Sequence, residues 1–217
     1  MNLKEVYNRE KIFNILEDLK PENKRNLIGI LRVLSKMANQ DFLIETVYNK
    51  RKFIGDLKSA IDSEDKAEKK RGLHLLFLDI DGMGLYNKKH GHQATDKMLK
   101  EMGDVFRWYE SKGLIYRYGG DEFAVILRNT SLEGAVNAGE RFRRTIEDNF
   151  KDKHGITVSV GVSDINYCKG DVKEKADQIV EQADEAVYAS KEAGKNKVTL
   201  YTLPRDLESV AKSYLKK

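Results

Sequence analysis

Cysteine and proline are nearly absent from this sequence of 217 residues. One cysteine, Cys168, cannot close an intrachain disulfide, so a secreted disulfide scaffold and a cysteine-rich zinc site are both excluded. A chain with one thiol is typical of the reducing cytoplasm, where we expect this protein to be located. The two prolines, Pro21 and Pro204, are too few for a collagen-like fibre and instead mark boundaries along the chain.

Long apolar runs and a strong excess of charge of one sign are missing as well. No run approaches the roughly 18–20 residues that a membrane-spanning helix needs, and the polar N-terminus is not a signal peptide. We therefore expect no membrane span. The 39 Lys and Arg residues against 35 Asp and Glu leave a net charge of +4, which gives no reason to expect a nucleic-acid partner.

The composition and length indicate one globular domain with a short appendage. Hydrophobic residues make up 40% of the chain and charged residues 34%. Apolar residues recur at helical spacing on both sides of Pro21, which predicts a helix, a turn and a second helix over residues 1–40. In the second helix the apolar spacing is 4-3-4, at Leu27, Leu31, Leu34 and Ala38. This spacing fits either a short coiled-coil seam or a helical hairpin that buries its own apolar face.

Beyond residue 40 the patterns predict a mixed domain. A helix is expected over residues 41–61, and a charged connector over residues 63–71. From residue 73 the elements follow the order β-α-β-β-α-β, and then α-β. The first six elements are those of a ferredoxin-like α+β fold. We place this domain at residues 41–203 and an amphipathic helical tail at residues 204–217.

Acidic residues stand at two points where an apolar strand meets a turn. Asp79 and Asp81 end the apolar run that begins at Leu73, and Asp121 and Glu122 come directly after two glycines. In a ferredoxin-like sheet these strands can be central neighbours. We therefore expect Asp79 and Asp121 to converge on one edge of the sheet.

Two carboxylates at close range repel each other unless a cation lies between them. Oxygen ligands without His or Cys favour Mg²⁺ or Mn²⁺ over zinc, and Mg²⁺ usually shares its coordination shell with substrate phosphates. These residues therefore indicate phosphoryl or nucleotidyl transfer, with Gly119 and Gly120 leaving room for a base or phosphate beside the backbone. The alternative for the same residues is an ordinary hairpin turn with acids that cap loops.

Residues 119–123, Gly-Gly-Asp-Glu-Phe, resemble the motif that names the GGDEF-domain diguanylate cyclases. The resemblance covers roughly residues 42–203 and includes four further motifs in the family's order. These are Asp79-Ile80-Asp81, then Asn87 with Gly91-His92 and Asp96, then the strand Thr157–Val162, and the helix and turn Asp184–Asn196.

The resemblance implies a ferredoxin-like palm, as in nucleotidyl cyclases and polymerases, that condenses two GTP into cyclic di-GMP and releases pyrophosphate. Asp79, the carbonyl of Ile80 and Asp121 would hold the divalent metal ions. Glu122 would support metal binding or deprotonation of the attacking 3′-hydroxyl, which makes Asp121 and Glu122 the candidate catalytic pair. Because one domain binds one GTP, the active species would be a homodimer with its two domains facing each other.

The same resemblance assigns the contacts to GTP. Asn87 and Asp96 would read guanine, since a carboxylate accepts hydrogen bonds from its N1–H and N2–H₂ groups. Lys191 and Lys195 would contact the triphosphate. Their separation of four residues predicts that they share one face of a helix.

Several family positions differ in this chain. Met83 and Gly84 stand where the family has Phe-Lys, which removes a cation near the triphosphate. The stretch 42–51 lacks the family's Thr-Gly beside the guanine pocket, which bears on nucleotide affinity and selectivity. Glu110 and Gly113 replace the Arg and Asp of the family's product-inhibition motif, so no inhibitory site is expected.

Three functions stay open from the sequence. The first is an active diguanylate cyclase. The second is a degenerate GGDEF domain that senses GTP or docks to a protein, which the missing Phe-Lys and Thr-Gly favour. The third is a cyclase with a different nucleotide preference. Residues 1–40 carry no recognisable ligand site and are a candidate segment for dimerisation or for an unidentified signalling partner.

Overall fold

The structure is a computed structural model that describes residues 20–107 and 115–202. The first helix expected in the N-terminal segment, the substituted positions Glu110 and Gly113, and the expected tail at 204–217 lie outside the described residues. Within the described ranges, no helix is both long enough and apolar enough to cross a lipid bilayer.

The chain divides into two compact units, Met1–Asn39 and Gln40–Lys217. In the first unit, helix α1 spans Pro21–Asn39. Its proline takes the first helical position, where the missing N–H costs no hydrogen bond. Four large apolar side chains of α1 are more than half exposed: Ile30, Val33, Leu34 and Met37. Their spacing puts them on one face of the helix.

The second unit is a mixed sheet of six strands, with helices on both faces, and it confirms the expected β-α-β-β-α-β order. In chain order the elements are β1 (Tyr48–Asn49), α2 (Lys50–Asp65), β2 (Leu73–Asp81), α3 (Met83–His90), α4 (His92–Arg107), β3 (Ile115–Arg117), β4 (Glu122–Arg128), α5 (Leu132–His154), β5 (Thr157–Asp164), a 3-10 turn (Ile165–Tyr167), α6 (Val172–Glu192) and β6 (Val198–Leu200). The strands lie in the order β1-β3-β4-β2-β5-β6. β2 is central and pairs antiparallel with both β4 and β5.

Strand β2 separates two hydrophobic cores. Leu76 and Leu78 face the core that α4 and α5 cover, whereas Leu75 and Phe77 face the core that α2 and α6 cover. A strand buried on both faces has a continuous apolar sequence rather than an alternating one. On the neighbouring strand, a Cβ at Gly161 would collide with a backbone carbonyl of α6, so the close approach of α6 to the sheet requires glycine there.

The helix expected over residues 41–61 begins only at Lys50. Upstream of it, one oxygen of the Asp41 carboxylate accepts hydrogen bonds from the backbone N–H groups of Leu43 (3.0 Å) and Ile44 (2.9 Å). A short acidic side chain offers the backbone an alternative to helical hydrogen bonds. The chain therefore makes a turn before α2 starts, and the expectation of a longer helix was wrong.

Candidate active site

The register of β2 against β4 brings the acidic residues together at one edge of the sheet. Asp79 lies directly opposite Glu122 in the antiparallel pair. One residue further, the backbone N–H of Ile80 donates to the carbonyl of Asp121 at 3.0 Å. The two acidic sequence motifs, about forty residues apart in the chain, thus meet at the end of the central strand pair.

Arg117 holds the glycine turn that precedes Asp121. Its guanidinium donates to the carbonyl of Gly119 (3.1 Å) and to the carbonyl of Gly120 (2.7 Å), and it pairs with Asp41 at 3.1 Å. A Cβ at Gly119 would collide with the carboxylate of Glu122, so a larger residue at this position would displace that side chain. The sequence assigns no role to Asp41, because its partner is 76 positions away.

The clustered carboxylates have perturbed acidities. Burial raises the pKa of Asp79, and neighbouring acids that include Asp121 raise it further against the opposing effect of Lys191. Burial also raises the pKa of Glu122, with added repulsion from Asp79, Asp121 and Asp184. One carboxylate oxygen of Asp79, Oδ1, is buried without a hydrogen-bond partner. The site therefore concentrates negative charge that a bound cation would stabilise.

The two lysines expected at the triphosphate occupy different structural positions. Lys191 lies in the last turn of α6, and its Nζ is 2.6 Å from Asp79 Oδ2. α6 ends at Glu192, and Lys195 follows in a turn with a positive φ of 63°. The expectation that the two lysines share one helical face was therefore wrong, because the helix ends between them.

Asp81 has a structural role, which the sequence motif does not distinguish from the role of Asp79. It is buried and accepts hydrogen bonds from Thr157 Oγ1 (2.8 Å), Ser159 Oγ (2.8 Å) and the backbone N–H of Asn196 (3.0 Å). Its oxygens are therefore already occupied by the protein. Asp81 ties the turn after α6 to the edge of the sheet.

The two residues expected to read guanine share the corner between α3 and α4. Asn87 is on α3 and Asp96 is on α4, where its side chain is exposed. Thr95, next to Asp96, is buried, and its hydroxyl lies 3.1 Å from both Asn87 Oδ1 and the carbonyl of Gly91. This contact joins the two helices and places Asn87 beside the residue that precedes Asp96.

The acidic edge of the sheet fits a hard divalent cation. Within residues 20–107 and 115–202, no three His, Cys, Asp or Glu side chains are arranged to hold a metal ion. The expected ligand set is smaller, with the carboxylates of Asp79 and Asp121 and the carbonyl of Ile80. All of these donors are oxygens, which suits Mg²⁺ or Mn²⁺. The buried, unpartnered oxygen of Asp79 supports this assignment.

Comparison with curated proteins finds relatives of this domain. Diguanylate cyclase A of Treponema denticola is 40% identical over 138 residues, which cover 61% of this chain and 36% of that protein. An uncharacterized membrane protein of Staphylococcus epidermidis is 32% identical over 140 residues, which cover 63% of this chain and 39% of that protein. The chain thus spans less than two fifths of the length of these curated relatives.

Solved structures share the fold. The coiled coil and GGDEF domain of DgcB from Caulobacter crescentus, in complex with c-di-GMP, superposes with a TM-score of 0.70 at 26% identity, covering 82% of this chain and 94% of that one. The active GGEEF domain of a diguanylate cyclase from Vibrio cholerae gives a TM-score of 0.63 at 27% identity, covering 71% and 97%. The family description "Diguanylate cyclase, GGDEF domain" matches residues 38–197, which is more than half of the sequence, and the chain therefore belongs to the GGDEF-domain family.

Proposed function

We propose that this protein is a diguanylate cyclase that condenses two GTP into cyclic di-GMP and releases pyrophosphate. The observation that carries the proposal is the register that sets Asp79 opposite Glu122 with Asp121 beside them. Membership of the GGDEF-domain family supports the same chemistry.

The proposed metal ligands are Asp79, Asp121 and the carbonyl of Ile80. A divalent cation held there, Mg²⁺ or Mn²⁺, would neutralise the α-phosphate and lower the pKa of the attacking 3′-hydroxyl. Glu122 stands beside this position with a pKa raised by burial. A carboxylate with a raised pKa is a better proton acceptor than an exposed one, so Glu122 is suited to receive the hydroxyl proton.

The remaining residues bind and orient GTP. Asn87 and Asp96 accept hydrogen bonds from the guanine edge at the α3–α4 corner. Lys191 pairs with Asp79 in this structure, and with a divalent cation as the counter-charge of Asp79 its ammonium would be free to contact the triphosphate. Lys195 approaches the phosphates from the turn that Asp81 anchors.

One chain supplies one set of these residues, so joining two GTP molecules requires a homodimer. The exposed apolar face of α1 supports helix pairing as a second contact between the two chains. The same face would suit docking of a signalling partner. Since GTP is a cytoplasmic nucleotide, we place the catalytic unit in the cytoplasm.

The purified full chain, incubated with GTP or ATP and with Mg²⁺ or Mn²⁺, tests the proposal by chromatography of the products. We expect cyclic di-GMP from GTP, and its loss in the variants Asp121→Asn and Glu122→Gln. The matched control is Asp148→Asn, which alters an exposed carboxylate on α5 and should leave turnover unchanged. Full activity in Asp121→Asn would contradict the metal assignment.

A second candidate function is a domain that senses GTP or docks to a protein without making a product. Met83 and Gly84 favour it, because they replace the family's Phe-Lys near the phosphates. The same incubation separates the two functions. Binding of GTP with no cyclic dinucleotide at high protein concentration would support the second, and a product from ATP would instead indicate a changed base preference.

A further inference from the structure

Helix α3 carries Asn87, and little of the helix is buried against the rest of the domain. It is 8 residues long, and none of its residues is buried. Met83 and Tyr86 are half-buried and pack against the core that α4 and α5 cover. A short helix with so little burial depends on side-chain hydrogen bonds for a fixed position.

Tyr86 makes such a bond to a residue 68 positions further along the chain. Its hydroxyl lies 3.0 Å from Nδ1 of His154, the last residue of α5, and the two rings meet edge to face at 5.5 Å. The ring of Tyr86 also packs against that of His90, with the ring centroids 4.5 Å apart. The glycine turns beside these residues also adjoin, since a Cβ at Gly82 would lie 3.6 Å from the carbonyl of Gly155.

His154 is itself firmly held. Its ring stacks on the buried Phe150 at 5.7 Å, and its Nε2 lies 3.4 Å from Glu101 of α4. Lys153 also pairs with Glu101 at 2.6 Å, and these contacts lower the pKa of Glu101, so that this side chain is an ionised acceptor. The consistent assignment has Nε2–H donating to Glu101 and the Tyr86 hydroxyl donating to Nδ1.

The imidazole of His154 therefore connects both helices of the guanine corner. Through Tyr86 it fixes α3, which carries Asn87, and through Glu101 it fixes α4, which carries Asp96. The Thr95 contact joins α3 and α4 to each other, but it does not tie them to α5. None of the metal or phosphate assignments uses His154 or Tyr86.

We propose that Tyr86 and His154 are positioning residues that hold the guanine-reading pair Asn87 and Asp96 in its binding geometry, an inference that rests on the proposed function. They act through helices α3 and α4 rather than by touching the nucleotide. Their loss affects GTP binding, while the metal-centred chemistry proceeds at its usual rate once GTP is bound.

The test compares Tyr86→Phe, His154→Ala and His154→Asn in the full chain. We expect Tyr86→Phe, which removes one hydroxyl and keeps the ring, to raise KM for GTP about three- to tenfold with kcat within about twofold. His154→Ala should raise KM further. His154→Asn should recover part of the loss, because its Oδ1 can accept from the Tyr86 hydroxyl in place of Nδ1.

The matched control is Tyr116→Phe, which removes a buried hydroxyl bonded to Asp56 at 2.7 Å on the other face of the sheet. It should leave KM unchanged although it lowers thermal stability. An unchanged KM in both Tyr86→Phe and His154→Ala would overturn the proposal.

Hydrogen exchange without nucleotide gives a second readout that does not depend on activity. Backbone amides of α3 should exchange faster in Tyr86→Phe than in the wild type, while those of α6 stay the same. Equal exchange in α3 would also overturn the proposal. A wild-type chain that makes no cyclic di-GMP would refute the proposed function instead, and the exchange result would still decide whether Tyr86 and His154 hold the helix.

Discussion

Lys191 Nζ lies 2.6 Å from one carboxylate oxygen of Asp79, while the other oxygen of Asp79 is buried without a hydrogen-bond partner. The lysine is therefore a counter-charge of Asp79 at the acidic edge of the sheet. In the proposed mechanism, a cation that binds Asp79 would compete with Lys191, and the displaced ammonium would become available to a phosphate. This relationship links metal binding to the placement of the triphosphate.

The variant Lys191→Gln should bind Mn²⁺ about two- to fivefold more tightly in the absence of nucleotide, because a partly exposed ion pair no longer competes for Asp79. Turnover of GTP should fall at least about tenfold, since the triphosphate loses a charged contact. Thermal-shift titration with Mn²⁺ and a product assay measure the two effects. Lys66→Gln is the control, because it removes an exposed 2.7 Å ion pair elsewhere. Unchanged metal affinity would contradict the competition.

Metal binding should depend on pH through Asp79 and Glu122. Their raised pKa values mean that protons compete with the cation, so the apparent affinity for Mn²⁺ should weaken as the pH is lowered. Without metal, the free energy of unfolding should change with pH in the opposite direction. Carboxyl groups whose pKa values are raised in the folded state favour folding most at low pH, and this contribution is lost as the pH rises through those pKa values. Calorimetric titration in two buffers of different ionisation enthalpy measures the released protons, and no proton release would refute this prediction.

Arg117→Lys should disorder the glycine turn. A lysine keeps the charge but cannot donate to the carbonyls of Gly119 and Gly120 and to Asp41 together. We expect a loss of about 1–2 kcal/mol in the free energy of unfolding and about tenfold or more in turnover. Urea unfolding and the product assay measure these effects.

The matched control for that substitution is Arg144→Lys, which alters an exposed pair with Glu140 at 3.7 Å. It should change neither quantity. If Arg117→Lys behaved like this control, the turn would not depend on the guanidinium.

Asp81 and Asp121 should respond differently to substitution. Asp81→Ala leaves three donors without their acceptor, and we expect it to cost about 2–4 kcal/mol in the free energy of unfolding. Asp121→Ala should cost little stability and abolish activity if its carboxylate is the proposed metal ligand. Urea unfolding of both variants is the measurement. An inactive Asp81→Ala protein with wild-type stability would show that Asp81 is a ligand and not an anchor.

Much of the fold could be predicted because local patterns encode it. The apolar run from Leu73 is typical of a strand buried on both faces, and helical periodicity marks the helices that cover it. The start of α2 could not be predicted from periodicity, because the carboxylate of Asp41 turns the backbone locally. The end of α6 before Lys195 was missed because the helical spacing of four between Lys191 and Lys195 continues beyond the last helical residue, Glu192.

The sequence by itself determined the order of the elements, the identity of the acidic motifs and the resemblance to the GGDEF-domain family. Only the tertiary structure decided which of those residues contact one another. The register of β2 on β4 sets Asp79 against Glu122, and the fold separates Asp81, which is fully hydrogen-bonded, from Asp79, which keeps a free oxygen. Such differences arise because the strand and hydrogen-bond partners are far apart in the chain, and the local spacing of residues does not predict them.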